Sequence, residues 1–160
     1  AESLWDGADG ADKLQKRLEA KAGCTMTLGS AAARSALQAV GAKRLGVVTP
    51  YWPVADDRVR HYFGECGFEV VALKGLKANS PVNIAEQSEQ TQAMVEVNTR
   101  EVDTIIQVGT NLGMAQLAGE AERWLGKPVI AINTALYWHA LRQMGINDKI
   151  PGWGRLLTDF

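Results

Sequence analysis

Four short apolar segments, separated by stretches with the spacing of amphipathic helices, constrain the fold of this chain more than any other feature. The segments cover residues 45–48, 68–73, 103–108 and 129–132. Apolar runs of this length, bounded by glycine, proline or polar residues, are typical of strands buried on both faces of a parallel sheet. Because parallel strands need crossover connections, the alternation predicts a three-layer α/β fold with a four-stranded parallel sheet, of the flavodoxin-like or Rossmann-like kind.

The intervening segments predict the two helical layers. Helices are predicted over residues 54–65, 88–100, 112–125 and 133–145, and two more precede the first strand, over 8–22 and 30–40. Ser30, Ser88 and Asn133 are predicted as N-caps, because a short polar side chain can accept a hydrogen bond from a free backbone N–H group. No strand precedes the first two helices, so the chain is expected to begin within a larger architecture.

Charge and composition exclude several classes of partner. The 17 Lys and Arg residues are mixed with 18 Asp and Glu residues, which gives a net charge of −1 and no basic stripe for a nucleic acid. No apolar run approaches the roughly 18 residues that a membrane span needs. Cys24 and Cys66 lie far apart without CxxC spacing, so we expect reduced thiols and a cytoplasmic protein.

Ligands of parallel α/β sheets bind beyond the carboxyl ends of the strands, so the loops there are the candidate site. The loop after the third predicted strand reads Gly109, Thr110, Asn111, Leu112, Gly113. At a predicted helix start, its unpaired backbone N–H groups favour an anion. The alternative, which the residues leave open, is that Thr110 or Asn111 only caps the helix.

The loop after the first predicted strand places a phenol at the same carboxyl edge of the predicted sheet. Pro50 and Pro53 flank Tyr51 and Trp52 and restrict the backbone there. Tyr51 is therefore a candidate for contact with a ligand. The alternative is an aromatic side chain that packs in the core with its hydroxyl satisfied.

Several motifs together resemble the maleate cis-trans isomerase and arylmalonate decarboxylase branch of the aspartate/glutamate racemase superfamily. They are the stretch 41–51 (GAKRLGVVTPY), the strand 67–71 (GFEVV), the turn 109–112 (GTNL) and the stretch 126–133 (GKPVIAIN). The resemblance implies a fold of two pseudo-symmetric α/β lobes with a substrate carboxylate between them. In these terms residues 1–40 belong to or connect with the first lobe, 41–145 form the second lobe, and 146–160 are a C-terminal tail.

The resemblance also implies the chemistry and its residues. Family members use a cysteine thiolate and need no metal or organic cofactor. Tyr51 matches a substrate-facing tyrosine with a catalytic role, next to Pro50, and the turn from Gly109 to Leu112 matches the one that cradles the carboxylate. The implied function is isomerisation or racemisation of a small mono- or dicarboxylic acid by a homo-oligomeric enzyme.

This sequence departs from the family pattern at its cysteines. Gly109 occupies the position of the second catalytic cysteine, and the Cys-Thr motif of the first lobe would lie at or before residues 1–4. Cys24 and Cys66 are expected to be packing residues. The thiol is therefore expected from outside this segment, and Gly109→Cys is expected to create a thiol of lowered pKa at a helix N-terminus.

Two alternatives remain open at this point. The chain could belong to an arylmalonate-type decarboxylase, or it could be a carboxylate-binding lobe without catalysis. The family asparagine after the second strand has no clean match, and Asn79, Ser80 and Asn83 are the candidates for it.

Overall fold

The computed structural model describes residues 2–80 and 85–160, so the candidate Asn83 lies outside the described residues. The strands are β1 (Arg44–Thr49), β2 (Glu69–Gly75), β3 (Thr104–Gln107) and β4 (Val129–Ala131). The α-helices are α1 (Gly7–Ala22), α2 (Gly29–Ala39), α3 (Pro53–Glu65), α4 (Gln87–Val97), α5 (Ala115–Leu125), α6 (Ile132–Gln143) and α7 (Arg155–Asp159), and a 3₁₀ turn (Glu2–Leu4) precedes them.

The four strands form one sheet in the order β2-β1-β3-β4, and every neighbouring pair is parallel. The predicted α/β fold with a four-stranded parallel sheet is confirmed. β1 and β3 occupy the centre, so the loops that follow them lie side by side at the carboxyl edge. This topology brings the two candidate loops together.

Alternating side chains of the sheet divide the core into two clusters, one on each face. Leu45 and Val47 of β1 pack with residues of α2, α3 and α6 on one face. Val48 packs with residues of α4 and α5 on the other face. Gly46 allows α4 to approach the sheet closely, because a β-carbon there would lie 2.8 Å from the carbonyl oxygen of Val97. The predicted burial of this strand on both faces is correct.

Three predicted N-caps are wrong, and α5 begins later than predicted. α4 begins at Gln87, and its capping box uses Glu86 and Glu89 instead of Ser88. α6 begins at Ile132, so Asn133 lies inside the helix and does not cap it. α5 begins at Ala115, three residues later than predicted. In α2 the N-cap is Leu28 instead of Ser30.

Polar contacts tie the N-terminal segments of the chain to one another. Arg34 of α2 donates to Asp12 of α1 at 2.9 Å. The backbone N–H of Ser30 donates to the hydroxyl of Ser3 at 3.3 Å. None of the helices in the described part of the chain combines the length and the apolar character that crossing a membrane requires.

Candidate functional site

A cavity of about 320 Å³ opens at the carboxyl edge of the sheet, between the loops after β1 and β3 and the N-terminal helices. Its polar lining includes Tyr51, Thr110 and Ser3, together with the backbone of Gly109. Its apolar lining includes four leucines from the N-terminal segments, Leu4, Leu14, Leu18 and Leu28, which together are called the leucine wall. The structure therefore brings three of the predicted site residues to one cavity. Whether they bind a substrate remains a prediction.

The loop after β1 is held by a chain of polar contacts below Tyr51. The backbone N–H of Tyr51 donates to the hydroxyl of Thr49 at 3.0 Å, and that hydroxyl donates to the Asp56 carboxylate at 2.5 Å. Asp56 lies in the first turn of α3 and is only 8% exposed. Burial raises the pKa of Asp56, while the hydrogen bond from Thr49 and the charge of Arg60 act in the opposite direction. A buried carboxylate thus orients the loop that carries Tyr51.

The loop after β2 closes over the same segment from the other side. The backbone N–H groups of Leu76, Lys77 and Ala78 donate to the carbonyl oxygens of Thr49, Tyr51 and Pro50, respectively, at 2.9 to 3.1 Å. Asn79 and Ser80 follow this loop segment, and both are exposed and do not line the cavity. The backbone on both sides of the Tyr51 side chain is therefore fixed.

The turn after β3 differs from the predicted helix N-terminus. Its residues 109–112 precede α5, so the helix dipole invoked for the anion site does not begin there. The backbone N–H of Leu112 donates to the carbonyl oxygen of Gly109 at 3.0 Å, and the Leu112 side chain is 1% exposed in the core. The prediction that the Leu112 N–H faces an anion is wrong, because this N–H is already hydrogen-bonded to Gly109 within the turn.

The other residues of this turn differ in what they face. Thr110 lines the cavity, whereas Asn111 is exposed and lies outside the cavity wall. Asn133, instead of capping α6, donates its side-chain amide to the carbonyl oxygen of Thr110 at 3.0 Å. Pro50 is buried and touches Gly109 without lining the cavity.

Gly109 occupies a position that a cysteine could not take without rearrangement. Its φ is +107°, a region that side chains rarely adopt. A β-carbon there would lie 2.5 Å from Cδ of Pro50 and 3.3 Å from the hydroxyl of Tyr51. The glycine therefore lets the two loops meet close to the Tyr51 hydroxyl.

Neither cysteine of the chain reaches the cavity. Cys24 is exposed after the end of α1. Cys66 is half-buried at the end of α3, and burial raises the pKa of its thiol even though contacts with Tyr62 and Arg34 lower it. A thiol with a raised pKa is a poor nucleophile at neutral pH, which agrees with the packing role expected for Cys66. The packing role expected for Cys24 is wrong, because that residue is exposed.

Sequence reasoning missed three contributors to the site. Asp56 is an acidic residue in the first turn of its helix, and such a residue is also a candidate for contacts with a neighbouring loop. Gln107 is a polar residue at the end of an otherwise apolar strand, and a polar residue at such a position indicates a specific hydrogen-bonding role. The leucine wall comes from segments that are distant in sequence, so no local pattern indicates it.

Comparison with known proteins gives a consistent result. The profile of the arylmalonate decarboxylase family matches residues 1–157. A maleate isomerase of Nocardia farcinica is 30% identical over 124 residues, which cover 76% of this chain and 49% of that protein. An arylmalonate decarboxylase of Bordetella bronchiseptica is 26% identical over 163 residues, which cover 98% of this chain and 68% of that protein. The chain thus spans about half the length of the maleate isomerase.

Solved structures show the same fold. The Nocardia farcinica maleate cis-trans isomerase bound to TRIS superposes with a TM-score of 0.91 at 23% identity, over 97% of this chain and 66% of that one. A mutant of that isomerase, with a covalently bound succinylcysteine intermediate, gives 0.90 at 23% identity, over 99% of this chain and 68% of that one. The resemblance expected from the motifs is confirmed. With the family profile matched over residues 1–157, this chain belongs to the arylmalonate decarboxylase family.

Proposed function

We propose that this chain is one lobe of a cofactor-independent isomerase or racemase that holds a small carboxylic acid in the cavity beside Tyr51, Gly109 and Thr110. The observation that carries the proposal is the position of the Tyr51 hydroxyl, 3.3 Å from where a β-carbon of Gly109 would lie. In the proposal the second-lobe thiol is missing and a cysteine outside these residues supplies the nucleophile. The chain spans about half the length of its maleate isomerase relative.

The chemistry needs a nucleophile and a place for negative charge. In isomerisation, the thiolate sulfur forms a bond to one alkene carbon, and the electron pair of the double bond moves to the adjacent carbon and its carboxylate. Rotation about the new single bond and loss of the thiolate then restore the alkene. The Tyr51 hydroxyl and the Thr110 backbone N–H are the groups of this lobe that would hold the carboxylate and stabilise its added charge.

The leucine wall favours a second candidate, decarboxylation of an acid with an apolar substituent. No charged side chain lines the cavity among the residues that the structure describes. A second carboxylate against the four leucines would be desolvated without a partner, which is costly. An aryl or branched alkyl group would bury apolar surface there instead. Maleate and phenylacetate therefore serve as contrasting probes of the cavity.

A cytoplasmic location is part of the same proposal. Cys24 and Cys66 are free thiols, which is typical of proteins from reducing compartments.

Replacing Tyr51 by phenylalanine tests the proposal. We expect binding of a carboxylate probe to weaken by about 0.5–1.5 kcal/mol, or about 1.5–3 kcal/mol if Tyr51 bonds the ionised carboxylate itself. The melting temperature should barely change. Titration calorimetry with maleate and phenylacetate measures the affinities. Tyr137→Phe is the matched control, because Tyr137 is 55% exposed on α6 and lies outside this cavity.

Unchanged affinity together with a lowered melting temperature in Tyr51→Phe would contradict the proposal and assign Tyr51 to packing. Tight binding without turnover in any longer form of the protein would favour the carboxylate-binding lobe over the enzyme.

A further inference from the structure

We infer that Gln107 is a positioning residue that aims the backbone N–H of Thr110 at the bound carboxylate. The inference rests on the proposed function, because it concerns the same cavity, but it depends on a residue that does not line the cavity. Gln107 is the last residue of β3 and is 1% exposed.

The contacts of the Gln107 amide join three segments. Its Nε2 donates to the carbonyl oxygen of Gly109 at 2.7 Å. Its Oε1 accepts a hydrogen bond from the backbone N–H of Ile132, at the start of α6, at 3.4 Å. The side chain therefore bridges the end of β3, the turn that follows it and the helix that follows β4.

The peptide bond between Gly109 and Thr110 determines the direction of the Thr110 N–H group. In a trans peptide the carbonyl oxygen and the N–H group of the next residue point in opposite directions. The Gly109 carbonyl oxygen faces Gln107 and the Leu112 N–H inside the protein. The Thr110 N–H of the same peptide then points away from the buried amide, to the side where Gly109 and Thr110 line the cavity.

A second contact fixes the next peptide. Asn133 donates to the carbonyl oxygen of Thr110 at 3.0 Å, so the backbone is held on both sides of Thr110. Asn133 follows Ile132 in α6, and the two side-chain amides thereby tie the turn to the same helix start. Preorganised donors of this kind need no reorientation when charge develops on a ligand.

Packing alone does not require a glutamine at position 107. The strand residues before it are Ile105 and Ile106, both fully buried. An apolar side chain would suit that environment better, because a buried amide is costly unless it is hydrogen-bonded. The amide is best explained by the backbone groups that it orients.

Gln107→Met tests the inference, because methionine keeps a similar volume but cannot donate a hydrogen bond. The probe is the one of maleate and phenylacetate that binds the unchanged chain more tightly. We expect the affinity of the variant for this probe to fall about five- to tenfold. Gln90→Met is the matched control. Gln90 is also buried, with 8% of its surface exposed, and donates to the backbone carbonyl of Ala85, but it lies in α4 away from the cavity. The affinity of the Gln90→Met variant should equal that of the unchanged chain.

Gln107→Glu supplies a readout that loss of packing would not give. A protonated glutamic acid can still donate to the Gly109 carbonyl, whereas an ionised one cannot. Burial raises the pKa of a carboxyl group, so the switch should fall within the measured range. We expect affinity near that of the unchanged chain at pH 5 and at least about fivefold weaker at pH 8, each compared at the same pH.

The outcomes separate the inference from the proposed function. If the unchanged chain binds neither probe, the carboxylate site fails, and the inference fails with it. If the unchanged chain binds and Gln107→Met binds equally well, or if Gln107→Glu shows no dependence on pH, only the inference is overturned. Loss of folded structure in both variants by circular dichroism would also overturn it, since Gln107 would then be needed for folding itself.

Discussion

Replacement of Gly109 by alanine is expected to destabilise the chain by about 2–5 kcal/mol, because it combines backbone strain with overpacking. The φ of +107° is unfavourable for any side chain, and the new β-carbon would lie 2.5 Å from Cδ of Pro50. The proline ring is rigid, so the loop after β1 must move to relieve the contact. The change in free energy of unfolding is measured by urea denaturation.

Gly113→Ala is the matched control in the same turn. A β-carbon at Gly113 meets no atom within 4 Å, and its φ is not positive. That variant should lie within about 0.5 kcal/mol of the unchanged chain, as surface substitutions usually do. Equal stability of the two variants would show that the loops do not meet at Gly109.

The same geometry corrects an expectation from the sequence. Gly109→Cys was expected to place a thiol of lowered pKa at a helix N-terminus. The turn precedes α5, and the added side chain would collide with Pro50. The substitution is therefore expected to cost as much stability as Gly109→Ala, without the benefit of a helix dipole to the thiolate.

Replacement of Thr49 by valine is expected to cost about 2–4 kcal/mol at neutral pH. The hydroxyl is buried, donates to Asp56 at 2.5 Å and accepts the Tyr51 N–H at 3.0 Å. Valine has the same shape but leaves both a buried carboxylate and a backbone N–H without this partner. Thr104→Val is the control, because Thr104 is also buried in a central strand but makes no side-chain hydrogen bond with the described residues.

The cost of Thr49→Val should depend on pH in a defined direction. The pKa of Asp56 is raised above its ordinary value of 3.8, mainly by burial, and the hydrogen bond from Thr49 opposes that rise. A native state with a raised carboxyl pKa holds its proton more tightly than the unfolded state, so stability is lost as pH increases through the native pKa. Removing Thr49 raises this pKa further. The difference between variant and unchanged chain should thus be larger at pH 7 than at pH 3.8, and a difference independent of pH would contradict this account of Asp56.

The fold followed from the sequence because its signals are local. Apolar runs of four to six residues, such as the one at 45–48, and periodic helical segments suffice to predict a parallel sheet and its two helical layers. The order β2-β1-β3-β4 then juxtaposes the loops that carry Tyr51 and Thr110. The observed topology therefore accounts for the two loops sharing a cavity.

The site was less predictable because its decisive contacts join distant segments. Asn133 has the composition of a helix cap, and its actual partner is Thr110, 23 residues earlier. Leu112 looked like the third residue of an anion-binding helix start, but a backbone hydrogen bond to Gly109 ends that role. The leucine wall combines side chains from α1 and from the segments on both sides of it, which periodicity does not bring together.

The central claim is that a carboxylate occupies the cavity beside Tyr51 and Thr110, and titration of the isotope-labelled chain by two-dimensional NMR tests it most directly. With maleate or phenylacetate, the account predicts the largest shift changes at the amide groups of Thr110 and Gly109, consistent with a carboxylate oxygen about 3 Å from the Thr110 N–H. Changes confined to the groove of about 350 Å³ between Tyr137 and Trp153, or no saturable change at all, would contradict it.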